Sequence, residues 1–553
     1  MAAEAKNLTA ATVDGIKWTM MATLASCVLQ VGYTAVMARL LNPAAFGLMA
    51  LSGVILRFGD YFAKMGMGQA IIQKPDLTER DVRAAFTSSL LLGAFFAGLI
   101  AVCAPLAGHI VNQPEVVPVV QVDALCIFLS GINSTAFSLL KRSMRFRTLA
   151  ILETTSFLVG FVGLGLVLAW QGFGIWALVG ASVGNMLLLT ILAYAAERHT
   201  LRLLFSWDAY RPLLVYGSRT SVISFVEFLS MSLDTVFIGR QLGPAALGIY
   251  SRGSMLIKLP VYQLISSLSK VLFPSFSQVQ ADVARLRGAY LNSITLVATL
   301  VTPVCIGMTV AAPEIVRVML GPKWMAAVPI LQVISLTYVL SAVTLFAGVV
   351  CDATAAGAMK SKLTLNLIYI AALAGLLLAG SRFGLLGVAW ALVAGEVLRM
   401  VLYARLMRSV LATAPLAVLR AYGPGVLAGA ATAAAIGAVR YGLLALGAPP
   451  LAILAAEMLA GAGAVSYLVL VQPPAQLRGV LRSLLARLNG PQPRDTTRLV
   501  PRLVEAIAAR LAYLDGELPA IMPDYPAPAA ATPAGRNPEP EPARFSKAEP
   551  ELV

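Results

Sequence analysis

The chain has 553 residues, 58% of them apolar and only 12% charged, with 42 Lys and Arg against 27 Asp and Glu. A soluble globular protein is about 45–50% apolar and about 25% charged, so this composition, with a mean hydropathy of +0.80, excludes an ordinary soluble enzyme, a disordered chain and a fibre. It describes an all-α integral membrane protein with many spans, whose net charge of +15 reflects topology rather than nucleic-acid binding.

A helix needs about 20 apolar residues to cross the hydrocarbon core. Twelve stretches before Leu411 meet that need, at residues 13–38, 48–72, 84–108, 118–140, 149–170, 174–196, 212–237, 248–275, 290–311, 327–351, 363–381 and 384–407. Two more, 423–440 and 450–471, are rich in Ala and Gly, which suits close packing in lipid. Fourteen transmembrane helices are therefore expected. No cleavable signal peptide is evident at the start. The five cysteines lie in apolar stretches without a Cys-x-x-Cys pair, and neither histidine has ligand-spaced neighbours. Neither a disulfide framework nor a metal site or other cofactor is expected.

Basic residues set the direction. Six loops after even-numbered helices carry 17 Lys and Arg, whereas seven loops after odd-numbered helices carry 7. The positive-inside rule then places the even loops and both termini in the cytoplasm. No loop in this region exceeds about 20 residues, so there is no room for a folded extramembrane domain of about 50, and any function must lie among the helices.

The segment MARLLNPAAFGL, residues 37–48, returns as IGRQLGPAALGI, residues 238–249, with six of twelve positions identical. Among the shared positions are Arg39 and Arg240, Pro43 and Pro244, and Gly47 and Gly248. A second echo, Trp176 to Val179, returns at Trp390 to Val393. Six spans separate the copies, so both enter the membrane in the same sense: a parallel repeat, related by an axis along the membrane normal. The expected organisation is an N-terminal six-helix bundle over 1–200 and a second over 201–411. Two further helices then occupy 412–473. The repeated segment has a local explanation in helix ends: Asn42 or Gly243 in the left-handed position, Pro in the next first turn, and Arg near the negative end of the helix dipole. Direct substrate contact is the competing reading of the same residues.

Charges inside the spans are the candidate site. A charge at a helix centre costs about 2.5–3.5 kcal/mol on insertion scales and usually faces a cavity. Arg57, Asp60 and Lys64 share one face of the second helix; Arg219, Glu227 and Asp234 lie on the seventh, Lys258 on the eighth, and Glu396 and Arg399 on the twelfth. The repeat offset maps Arg57 onto Lys258. One reading is a cationic cavity between bundles, formed by Arg57, Lys64, Arg219, Lys258 and Arg399, that takes a negatively charged group. In that reading Asp60, Glu227, Asp234 and Glu396 balance charge or take a coupling ion. The other reading makes Arg57–Asp60, Asp60–Lys64 and Glu396–Arg399 helix-internal ion pairs. Phe58, Tyr61, Phe62, Tyr216 and Phe225 lie nearby and suit either ligand stacking or packing. Beyond Gln472, residues 474–516 carry two Arg/Leu amphipathic stretches suited to an anionic membrane surface. Residues 517–553, rich in Pro, Glu and Ala, are expected to be disordered.

The pattern A-R-L-L-x-P-x-x-F-G at Ala38 to Gly47 resembles the opening signature of Wzx-type polysaccharide flippases. These belong to the polysaccharide transport family of the multidrug/oligosaccharidyl-lipid/polysaccharide exporter superfamily. Gly66 to Ala70, the basic run Lys141 to Arg147 with Phe146, and Trp176 to Val179 are similar in order, over roughly residues 10–470. The resemblance implies a non-enzymatic bacterial inner-membrane protein that moves undecaprenyl-diphosphate-linked oligosaccharide between leaflets. Polymerase and chain-length proteins of an assembly pathway are its implied partners. Three alternatives stay open: a cation-coupled drug exporter of the same superfamily, a membrane polysaccharide polymerase or ligase, and a non-transporting scaffold. The first should have an acidic or apolar cavity. The second should carry a large periplasmic loop with paired carboxylates.

Overall fold

The computed structural model describes residues 18, 21, 23, 25–64, 68, 71–72, 74, 76–204, 207–279, 282–353, 356–471, 473–474 and 477–478. Within these, the side chains of 61–64, 207–227, 266–275, 277–278, 342–343, 352–353, 356–360 and 470–471 lie outside the description. The amphipathic and disordered segments expected over 474–516 and 517–553 lie almost wholly outside the described residues.

The described chain is helical throughout. Helix α1 covers residues 25–40, α2 Pro43–Lys64, α3 Glu79–Ile110, α4 Val116–Arg142, α5 Phe146–Trp170 and α6 Ile175–Ala196. The helix Trp207–Gln278 breaks at Gly243 (φ 84°, ψ 173°), giving α7 before the break and α8 after it. Then follow α9 Val283–Val310, a short helix Ala312–Met319, a 3-10 turn Pro322–Ala327, and α10 Val328–Ala353. The last four are α11 Ala356–Ser381, α12 Gly384–Leu411, α13 Pro415–Ala445 and α14 Pro450–Ser466. Ten of these helices are long and apolar enough to span a bilayer by length and composition. Large apolar side chains such as Val102 (78% exposed) and Leu459 (76%) point outward, as lipid rather than water as the solvent requires. The protein is a multi-pass membrane protein.

The core sits where α2 and α8 meet. Their crossing is reciprocal and is made by the sequence repeat. A Cβ built on Gly47 would lie 1.8 Å from the Pro244 carbonyl oxygen, and one built on Gly248 would lie 1.8 Å from that of Pro43. Only glycine allows backbones this close. Each copy of the motif thus packs against the other about an approximate two-fold, with Pro43 opening α2. Around this point Phe46 packs edge-on against Trp324, with ring centroids 5.5 Å apart, and the Arg252 guanidinium lies 4.7 Å from the Phe46 ring centroid. Trp324 is fully buried and its indole N–H donates to the Ala38 carbonyl (2.8 Å).

Of the expected pair of left-handed linkers, Gly243 adopts positive φ and Asn42 does not. After α1, the Leu41 N–H donates to Met37 and the Ala45 N–H back to Asn42, so the turn closes without a left-handed residue.

Candidate functional site

The two arginines of the repeat act on neighbouring helices rather than on their own. Arg39 donates to the carbonyl of Val318 (2.8 Å) in the last turn of the short helix. Arg240 donates to that of Ile110 (2.5 Å), the last residue of α3. Each cation thereby satisfies an orphan carbonyl at the negative end of a helix in the other half of the sequence. Lys323 adds two donations to the end of α1, at Arg39 O (2.9 Å) and Leu41 O (2.7 Å). Gln113 donates to Gly239 O (3.5 Å) in the matching place on the other side. One end of the molecule is therefore clasped across the repeat by paired, symmetry-like contacts. Trp176 and Trp390, the first residues of the second echo, are 41% and 51% exposed near the starts of α6 and α12, suited to the bilayer interface.

From that clasp α2 and α8 run toward the opposite end. Arg57 and Lys258 each lie ten residues beyond the glycine at the crossing, about 15 Å along the axis and about 80° around the helix from the contact face. Both side chains are exposed. Among the described residues no carboxylate lies within ion-pair distance of Arg57, so the Arg57–Asp60 pair does not form; Asp60 instead accepts from Ser130 (3.0 Å). The side chains of Lys64, Arg219 and Glu227, and of Tyr61, Phe62, Tyr216 and Phe225, lie outside the described residues. Phe58 is 41% exposed.

The second half holds a buried polar group of its own. Arg399 bridges to Glu396 (2.8 Å) and stacks over the Tyr369 ring (5.3 Å), while Thr344 donates to the same Glu396 oxygen (3.0 Å). Glu396 is 2% exposed, so here the helix-internal pair does form, and the Arg399 charge is already matched. Asp234 accepts from the Tyr250 hydroxyl and from the Thr235 amide (2.7 Å). It is buried on the wall between α7 and α8.

Two buried carboxyls outside the candidate charges also stand in spans. Asp123, fully buried in α4, accepts from Ser52 of α2 (2.8 Å) and leaves its Oδ1 without a partner. Glu457, in α14, is 1% exposed with neither oxygen hydrogen-bonded. The sequence signal for both is a single acid inside an apolar run, weaker than several charges on one helix face.

A cavity of about 730 Å³ lies among α1, α8, α9, the short helix, α13 and α14. Its walls are apolar except for a few groups such as Thr34, Thr432 and Glu457. Among the described residues, none of the candidate cations lines it. The basic run before α5 has a structural use. Arg142 donates to Ile71 O (2.8 Å) and to Lys74 O, and Arg145 bridges to Glu197 (2.7 Å). It fastens the ends of α4 and α6 and the chain at Ile71 to Lys74.

Comparison with known proteins places this arrangement. The family model described as "Polysaccharide biosynthesis protein" matches residues 36–329, more than half of the chain. The lipopolysaccharide biosynthesis protein WzxC of Escherichia coli is 24% identical over 333 residues, covering 60% of this chain and 68% of that protein. The teichuronic acid biosynthesis protein TuaB of Bacillus subtilis is 25% identical, covering 60% and 69%. The succinoglycan biosynthesis transport protein ExoT of Rhizobium meliloti is 27% identical, covering 58% and 65%. Among solved structures, the lipid II flippase MurJ in an inward closed conformation superposes with a TM-score of 0.63 at 14% identity, over 82% of this chain and 98% of that one. An inward-facing multidrug resistance MATE family transporter of the MOP superfamily gives 0.56 at 18% identity, over 70% and 95%. At these identities the structural likeness speaks for the fold alone.

Proposed function

The chain belongs to the family of polysaccharide biosynthesis proteins, and from that premise we propose that it is a flippase for undecaprenyl-diphosphate-linked oligosaccharide, working by alternating access between two six-helix bundles, 1–200 and 201–411, with 412–473 added. The observation that carries this reading is the reciprocal crossing of α2 and α8. Two repeats clasped at one end and free to part at the other form a two-state element of the kind that alternating access needs. The clasp is assigned to the periplasmic end, because the loops there are the poorly basic ones. The bundles then open toward the cytoplasm, where a lipid-linked saccharide is made.

Arg57 and Lys258 are assigned to the diphosphate. They occupy equivalent positions beyond the crossing and are exposed in a setting where exposed charge is costly. Lys64 and Arg219 are assigned to the same cavity on sequence alone. Arg399 is committed to Glu396 and contributes by holding α12 and α11 in register, with Asp60, Glu227 and Asp234 balancing charge. Anionic lipids are assigned to the tail segment 474–516. The protein is read as an inner-membrane transporter with both termini in the cytoplasm and no catalytic step. It serves a pathway whose polymerase and chain-length proteins act on the translocated product.

The test is loss of the protein in its own cell, followed by analysis of lipid-linked intermediates. Undecaprenyl-linked glycan should accumulate on the cytoplasmic leaflet. A drug exporter would instead leave those intermediates unchanged and alter sensitivity to cationic compounds. A polymerase would leave single repeat units on the periplasmic leaflet.

A further inference from the structure

Glu457 plays no part in the clasp or in the cation pair, yet it is the single acid of α13 and α14. Its carboxyl is 1% exposed, neither oxygen has a hydrogen-bond partner, and it lines the 730 Å³ apolar cavity. Beside it stands a second acid with one cation. Glu314 of the short helix is 7% exposed; one of its oxygens meets Arg440 of α13 at 3.2 Å and the other is unpartnered. Arg440 is also tied to the end of α9, donating to Val310 O (2.9 Å).

The short helix packs against α14, and among the described residues Glu314 and its partner Arg440 are the charges that act on Glu457. The remaining charges on the packed elements lie elsewhere. Arg317 is exposed on the short helix, Arg420 is exposed near the start of α13, and Arg285 and Arg287 are at the start of α9. On α8, Lys258 is exposed, and Arg252 is turned to Phe46. On α1, Arg39 is bound to Val318 O.

Two buried carboxyls therefore share one cation. Burying a second ionised carboxylate without a partner costs several kcal/mol, roughly the effective penalty for a desolvated ion. With one arginine present, the pair stays neutral only when one of the two acids keeps its proton. Because Arg440 is engaged by Glu314, that proton belongs on Glu457.

We infer that Glu314, Arg440 and Glu457 form a proton-binding site of one exchangeable proton, carried by Glu457 while Arg440 is bridged to Glu314. When Arg440 turns to Glu457, the proton leaves Glu457 as its carboxylate pairs with the guanidinium, and Glu314 takes up one proton from water. Charge and protons balance in both arrangements, and of the three residues Glu457 is the one that lines the apolar cavity.

Infrared difference spectroscopy of the full chain in lipid nanodiscs tests this without substrate, so it stands or falls separately from the transport reading. The wild type at neutral pH should show the C=O stretch of a protonated carboxyl with no hydrogen bond, and that band should be missing in Glu457→Gln. Glu314→Gln hands Arg440 to Glu457, so the band should disappear at neutral pH, its midpoint moving down by at least about one pH unit, tenfold in proton concentration. Arg440→Gln removes the cation, and the band should persist into more alkaline buffer than in the wild type. Absence of a band assigned to Glu457 in the wild type would overturn the site. So would a midpoint that neither Glu314→Gln nor Arg440→Gln moves.

Discussion

The tightest contact between the repeats predicts its own failure. Gly47→Ala would place a methyl carbon 1.8 Å from the Pro244 carbonyl oxygen, whereas real Cβ atoms keep at least 3.0 Å from such neighbours. The crossing must open by about 1.2 Å at that point, against backbone rather than a movable side chain. Overpacking of this kind costs about 1–3 kcal/mol. Because the strain exists only while α2 and α8 touch, it falls on the clasped arrangement and spares the parted one. A difference of about 1–3 kcal/mol corresponds to a population shift of about 5–150-fold. Gly248→Ala should act alike, since it meets Pro43 O at the same 1.8 Å, and the double variant should cost less than the two added together because one opening relieves both. Pulsed electron paramagnetic resonance between spin labels at Asn112 and Arg317, in a cysteine-free background, reads the separation across the clasp. The alanine variants should gain a longer-distance population. Unchanged distances in folded Gly47→Ala and Gly248→Ala proteins would refute a clasp that parts during the cycle.

Three further expectations follow from the same geometry. Arg57→Ala and Lys258→Ala should each lower export strongly at unchanged membrane abundance, and Lys258→Arg should retain more activity than Lys258→Gln; export normalised to protein level is the measurement. Arg399→Met should destabilise by about 2–4 kcal/mol, somewhat below a fully buried pair because Arg399 keeps 27% exposure. Glu396→Gln should cost less, since Arg399 keeps its stack on Tyr369, and thermal unfolding of the purified protein separates the two. Reporter fusions at Pro474 and Gln113 should report cytoplasm and periplasm respectively, and a periplasmic signal at Pro474 would make the span count odd.

Helix content and the repeat were legible from the residues because both are local or periodic signals. An apolar run of the right length has few alternatives in lipid, and a motif recurring after six spans implies a parallel relation. What the motif does was less legible. Helix-end chemistry accounts for Pro43 and Gly243, but Gly47 matters through Pro244, about two hundred residues away, and no local rule finds that contact. Arg39 and Arg240 lie near helix ends, yet the carbonyls they satisfy belong to other helices. Asn42 was expected to be left-handed on type alone, and the packing of Lys323 and Trp324 against the end of α1 closes that turn differently. Charges in spans were legible as candidates, though not their partners: Arg57 and Asp60 have the same spacing as Glu396 and Arg399, and only the second pair closes. Glu457 and Asp123 stood alone in apolar runs, and their importance appears only once burial and missing partners are known.

The central claim is that the chain moves a lipid-linked oligosaccharide across a bilayer. The most direct measurement places purified protein in sealed vesicles with an undecaprenyl-diphosphate oligosaccharide carrying a fluorescent sugar, and follows the fraction reached by a membrane-impermeant quencher. The account predicts that label protected in the inner leaflet becomes accessible with the wild-type protein, and much more slowly with Arg57→Ala or Lys258→Ala. Protection that stays the same with and without wild-type protein would contradict it.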